Sequence, residues 1–180
     1  MNKKVERKNF IKIRSEISIP NRIKKSEVVT SKLIKLIAEG DYDGILLYAP
    51  LKDEVNILGV FNHFYDKDRF FPRVNGDTME FYRVDALTDL ETGNFNVSEP
   101  KKECEAIKYD ADKKYVCIMP GVSYDETGYR IGYGKGYYDK YLAGAESADI
   151  FKVGVCFEDC KSNGIEAEES DIKADVVIFA

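Results

Sequence analysis

Apolar and polar positions follow two periods along this chain, and the change from one to the other divides it into helices and strands. Residues 2–17 keep the helical period, with Phe10, Ile13 and Ile17 on one face. Lys3, Arg7 and Arg14 run as a basic stripe along its edge, at spacings of four and seven. Ser18 to Asn21 interrupts, and Pro20 suits the first turn of a second helix. Ile23, Leu33, Ile34 and Ile37 would form its buried side, and Gly40 would stop it. GILLYAP (44–50) suits a strand buried on both faces, LKDE (51–54) a turn after it, and 55–66 resume helical periodicity. RFFPRV (69–74) is a strand candidate that Pro72 weakens towards a strand end. Asn75-Gly76-Asp77 has the chemistry of a turn before the alternating TMEFYRV (78–84). Residues 85–114 read mostly as loop. YVCIMP (115–120), KVGVCF (152–157) and DVVIFA (175–180) complete the strands, and a helix starts within GKGYYDKYLAG and ends near Gly144.

Strands that alternate with helices predict an α/β fold, a three-layer sandwich in which helices flank a mainly parallel central sheet, as a single domain. In such sheets ligands bind in the crevice outside the carboxyl ends of the strands. LKDE and the segment after YVCIMP both follow strands and can converge there.

A length of 180 residues, 44% of them hydrophobic, supports one well-filled core. The net charge of −5 argues against a general nucleic-acid or membrane-surface binder, so any basic site must be local. The start, MNKKVERK, lacks the apolar run of a signal peptide, and no stretch nears the ~20 apolar residues that span a bilayer. A cytoplasmic monomer is expected. Cys104, Cys117, Cys156 and Cys160 do not form a disulfide framework, and Cys117 and Cys156 sit in apolar runs as buried thiols. No second pair or nearby His turns Cys156 and Cys160 into a zinc site. His63 is the only histidine, and Ser123 lacks the nucleophile elbow, which disfavours a Ser-His-Asp triad. Chemistry here would rest on carboxylates, cations and a metal.

Tyr124 to Tyr141, YDETGYRIGYGKGYYDKY, holds six of the twelve tyrosines and glycines at 132, 134 and 136. Each glycine would cost a regular element roughly 0.5–1 kcal/mol, so the pattern belongs to a loop that something approaches closely. Tyr137 stands where a dinucleotide fingerprint needs its third glycine, and Gly136 follows Lys135 where a Walker A loop needs Ser or Thr. What remains is generic anion chemistry: exposed amides, a helix N-terminus, Arg130 as a fork and Lys135 as a point charge. Asp139 can be a magnesium ligand beside phosphates or an acid stabilised by the helix dipole. Tyr137 and Tyr138 can stack on a flat ring or plug the core. The basic stripe can be a solvated edge or an arm that closes over an anion.

PGVSYDETGYRIGYGKGYYDKYL (120–142) resembles the signature of the 5-formyltetrahydrofolate cyclo-ligase family. Lys3, Arg7 and Arg14 are similar to that family's amino-terminal arm, YAPLKDEV (48–55) to its substrate segment, FFPRV to its next strand and EESDIKADVVI (168–178) to its carboxyl end. The resemblance implies ATP-dependent closure of 5-formyltetrahydrofolate to 5,10-methenyltetrahydrofolate. ATP and Mg2+ would serve it, with no nucleic-acid or membrane partner. It assigns Lys3, Arg7, Arg130, Gly132, Gly134, Lys135, Gly136 and Tyr138 to the nucleotide. The folate would meet Arg7, Ala49, Glu54, Tyr133, Gly134, Lys135, Gly136 and Tyr137. Arg130, Lys135 and Tyr137 would be catalytic, and Asp139 and Asp171 would hold the metal. Tyr133 occupies a position that is often Phe or Arg, and Ser170 one that is often His. A relative that binds these ligands without turnover, or an α/β sugar-phosphate or acyl-CoA enzyme, would be the alternatives.

Overall fold

A computed structural model describes residues 2–93 and 96–180; Asn94 and Phe95, within the stretch expected to be loop, lie outside them. Six strands form the central sheet: β1 (Gly44–Leu46), β2 (Asp68–Asn75), β3 (Thr78–Arg83), β6 (Lys114–Pro120), β9 (Asp149–Cys156) and β10 (Val176–Phe179). Their order is β10-β9-β6-β1-β2-β3, with all neighbours parallel except the antiparallel β2–β3 edge. The expected fold class therefore holds.

β6 explains the layers. Its residues alternate between two cores, Val116 and Ile118 on one side and Tyr115, Cys117 and Met119 on the other. The first side packs under α2 (Ile19–Gly40) and α3 (Leu58–His63), through Val29, Leu33, Ile37, Val60 and Phe61. The second is covered by α4 (Tyr137–Gly144), through Leu142 and Tyr141, and by Phe10 of α1 (Lys3–Glu16). Cys117, Cys156 and Cys160 are buried free thiols.

Several local expectations need correction. Ile23 is exposed, because the buried stripe of α2 runs through Ser26, Val29, Leu33 and Ile37, and Arg22 donates to Ile17 O and Lys52 O at 2.9 Å each. Ile13 is also exposed, and the one fully buried residue of α1 is Arg14. The helix after β1 is short, only Leu58–His63. Pro72 lies within β2 rather than at its end. It sits opposite Phe81, whose N–H goes to Glu80 and whose carbonyl accepts from Ile107, so β3 asks nothing of Pro72. On its other side β1 has already ended. The 85–114 stretch carries a small hairpin, β4 (Leu90–Thr92) with β5 (Ser98–Pro100).

The order in which the strands are connected reverses beside β1. From it the chain goes to β2 on one side, whereas β6, on the other, leads to β9 and β10. The loops leaving β1 and β6 thus diverge, which opens a crevice at their carboxyl ends. Just past β6, β7 (Ser123–Tyr124) and β8 (Arg130–Ile131) form a two-stranded ribbon. Tyr124 is fully buried there and donates to Met119 O at 3.0 Å. Its ring fills the space where a Cβ on Gly154 would stand 2.5 Å from the ring, and one on Gly121 equally close. A Gly154→Ala substitution should therefore overpack this seam and lower stability by about 1–3 kcal/mol. Urea unfolding would measure it, and an unchanged midpoint would disprove the packing account.

Candidate active site at the carboxyl edge of the sheet

Three segments distant in sequence meet at the crevice: α1, the 51–54 turn after β1, and the glycine-rich loop after β6. Arg14 joins them. It is 3% exposed, and its Nε donates to Asp53 Oδ2 at 3.0 Å. Its other nitrogens donate to Gly121 O at 3.5 Å and to the Tyr133 hydroxyl. Burial works against this charge, but Tyr133, Asp53 and Glu54 outweigh it, and the guanidinium is held protonated.

Glu54 is buried next to this network and accepts the Leu51 N–H at 2.8 Å. Burial pushes its carboxyl above the usual range, while the Leu51 N–H, Arg14 and the Tyr133 hydroxyl oppose that rise. The half-exposed Tyr133 has its phenol pushed up to about 12 by burial and by Glu54. Ala49 is buried at the start of the same turn, and Tyr48 donates to Val55 O at 2.6 Å beneath it.

Two helical turns back, Arg7 donates to Gly132 O at 2.5 Å. Its guanidinium lies flat on Gly134, where a Cβ would be 3.3 Å away and where φ is +91°, so only glycine serves both demands. Three turns back, Lys3 reaches Asp171 Oδ2 at 2.5 Å and Glu168 at 3.2 Å. The basic stripe is therefore the docking face of α1, not a solvated edge. Phe10 and Ile11 pack between the cations.

A further ion pair lies alongside. Arg130 donates to Asp139 Oδ1 at 2.7 Å and to Ile172 O at 2.6 Å, and the same Oδ1 accepts the Ile172 N–H at 3.0 Å. Burial raises the cost of charge on Asp171, but the Glu168 N–H and Lys3 hold its carboxyl below the usual range. Asp139 and Asp171 thus flank one short segment. Each keeps one oxygen, Oδ2 and Oδ1 respectively, outside these hydrogen bonds among the described residues.

Lys135 is exposed and forms no ion pair among the described residues. Gly136, with φ +64°, begins α4 without a side-chain cap, which leaves the first-turn amides open to an anion. Tyr137 crosses to Gly76 O at 3.1 Å, on the β2–β3 turn. Tyr138 turns inward near Phe81, its hydroxyl buried without a hydrogen-bond partner among the described residues. The expected site residues therefore gather at one edge of the sheet, with Ala49 and Tyr138 behind it.

Asp125 and Arg14 were missed as organising groups. Asp125 is buried, and its two oxygens accept Thr127 N–H at 3.0 Å, Thr127 Oγ1 at 2.7 Å, Tyr129 N–H at 3.1 Å and Ile165 N–H at 2.8 Å. The D-x-T-G spacing was the available signal. Burial alone would raise this carboxyl, but the four bonds hold it below the usual range. Its stabilising contribution is complete above the unfolded carboxylate pKa and is lost as pH falls through the lower folded value. Asp125→Asn should cost about 1–3 kcal/mol near neutral pH. The gap to wild type should close in acid; denaturant melts across pH would test this, and a gap constant with pH would refute it.

A model of the 5-formyltetrahydrofolate cyclo-ligase family matches residues 1–180. The chain is 34% identical over 124 residues to the probable 5-formyltetrahydrofolate cyclo-ligase of Schizosaccharomyces pombe, covering 62% of this chain and 61% of that relative. It thus spans about three fifths of that relative's length. To the 5-formyltetrahydrofolate cyclo-ligase of Mycoplasma pneumoniae it is 26% identical over 183 aligned positions, covering 99% of this chain and 98% of the other. The NMR structure of Aquifex aeolicus 5,10-methenyltetrahydrofolate synthetase matches with a TM-score of 0.83 at 32% identity, covering 99% of this chain and 90% of that one.

Proposed function

The chain belongs to the 5-formyltetrahydrofolate cyclo-ligase family, and we propose that residues 1–180 form one cyclo-ligase domain closing 5-formyltetrahydrofolate to 5,10-methenyltetrahydrofolate, with ATP converted to ADP and phosphate. The observation that carries this is the convergence of the α1 cations, the glycine-rich loop and the β1 turn at one switch point. The cytoplasmic monomer expected from the sequence is carried forward as part of this proposal.

The formyl oxygen is amide-like and leaves poorly. In the proposed route it takes the γ-phosphoryl group and ADP departs. N10 then attacks the activated carbon, and phosphate and the N10 proton leave. Such transfer needs positioning and neutralisation more than a base, which suits a site without histidine. Lys3, Arg7 and Arg130 neutralise the phosphates, with the amides of Gly132, Gly134 and Gly136 as fixed dipoles behind them. Lys135, exposed and without an ion pair among the described residues, would reach the transferring group. Tyr138 backs the nucleotide. Glu54, Tyr133 and Tyr137 line the folate with Arg7, Ala49 backs that wall, and holding N10 against the activated carbon is worth up to ~7–11 kcal/mol.

Asp139 and Asp171 fit magnesium, which takes one or two carboxylates beside phosphates and water; each has an uncommitted oxygen. Mg2+ would supply further neutralisation at the phosphoryl oxygens. Lys3 and Arg130 would exchange their present carboxylate partners for phosphate.

Mixing the protein with MgATP and 5-formyltetrahydrofolate should produce the near-ultraviolet band of the methenyl product; well-folded protein and intact substrate without that band would sink the proposal. Asp139→Asn should reduce turnover by about 10–100-fold. Stability should fall less, because an amide oxygen can still accept from Ile172 and Arg130. Wild-type turnover at saturating magnesium would remove the metal role.

A further inference from the structure

Arg14 has no part in the chemistry above, yet it is the most buried charge of α1. We infer that Arg14 is a positioning residue for the folate, acting through Glu54 and Tyr133 to hold the two walls of that pocket in register. The inference rests on the cyclo-ligase proposal and extends it to a residue that touches neither nucleotide nor metal ligand.

The geometry supports this in three ways. First, the guanidinium spends its donors on both walls: Asp53 from the β1 turn, Gly121 O and the Tyr133 hydroxyl from the β6 loop. A helix glued to a surface needs only one such wall. Second, Arg14 supplies the positive charge beside Glu54. The groups facing that carboxylate are Asp53 and the Leu51 N–H on its own turn, Arg14 from α1, Tyr133 from the glycine-rich loop, and the phenols of Tyr48 and Tyr138. The other members are neutral phenols and an amide or, for Asp53, a like charge. Third, a cavity of about 10 Å³ lies between Arg14, Glu54, Tyr48, Pro120 and Gly121. It is at the lower limit for one water, so little slack remains if the guanidinium moves.

Removing this cation leaves Glu54 buried without its compensating charge. Its carboxylate then protonates more readily, and the polar contact it offers the folate is lost at a higher pH than in wild type. The turn is also free to drift from Tyr133. The nucleotide-facing cations have anchors of their own, Lys3 on Asp171, Arg7 on Gly132 O and Arg130 on Asp139, and these hold without Arg14.

The test compares Arg14→Met and Arg14→Lys with wild type in the cyclisation assay, varying each substrate and the pH, with 5-formyltetrahydrofolate binding also followed calorimetrically without ATP. For Arg14→Met the folate KM and Kd should rise about tenfold with the ATP KM unchanged. The acid limb of kcat/KM for folate should move to higher pH. Arg14→Lys keeps the charge but not the fork, so the acid limb should return to its wild-type place while the folate KM stays elevated. If Arg14→Met does not fold, the Lys variant decides by the same split between folate and ATP. A purely structural role would lower thermal stability while leaving the folate Kd and the acid limb in place, and that result overturns the inference. So does an equal rise in both KM values. Failure of wild type itself to form product overturns the cyclo-ligase proposal, a different outcome from product formation with an unchanged folate Kd in the variants.

Discussion

A dehydrated guanidinium at the edge of a parallel sheet constrains most of this structure. Stripping water from such a charge costs several kcal/mol unless partners replace the lost hydrogen bonds. Arg14 finds them on Asp53, Gly121 and Tyr133, which lie 39, 107 and 119 residues away along the chain. The turn after β1 and the loop after β6 must both be in place for α1 to dock. In turn, α1 brings Arg7 and Lys3 onto the same loop and onto Asp171. Fold and site are therefore completed by the same contacts.

The sheet determines where those contacts can occur. Both faces are covered by apolar layers, so the strand ends are where charged groups can be solvated or paired. Divergence of the chain beside β1 opens that edge at one point. The loop crossing it has little secondary structure of its own. Its shape comes from Asp125, which ties three amides and a hydroxyl together, and from Tyr124, wedged against Gly154. With its ends fixed, the stretch from Gly132 to Gly136 can present amides without a regular element beneath it.

Much of this was legible in the sequence. The strands announced themselves as apolar runs, because a strand buried on both faces has nothing polar to interrupt it. The glycine spacing marked the loop, and the first two helices were found within a residue or two. What failed was inference about faces. Ile13 and Ile23 were assigned inward by hydrophobicity, yet Arg14 and Arg22 take the inward positions. The surfaces they meet are carbonyls and a carboxylate, and a helical pattern does not reveal what its face will touch. Pro72 misled for a similar reason: whether a missing N–H matters depends on where the neighbouring strand ends.

Tyr133 bears on the same point. Its phenol accepts a hydrogen bond from Arg14. Positive charge reaches this part of the loop from α1 rather than from the loop's own side chain. A loop arginine would be free to follow a ligand, whereas Arg14 is fixed by Asp53 and by its helix. The arrangement gives up mobility of the cation for pre-organisation of the pocket wall, because the folded protein has already met the cost of ordering it. For the proposed ring closure, which depends on holding one nitrogen against one carbon, a fixed wall is the more useful of the two.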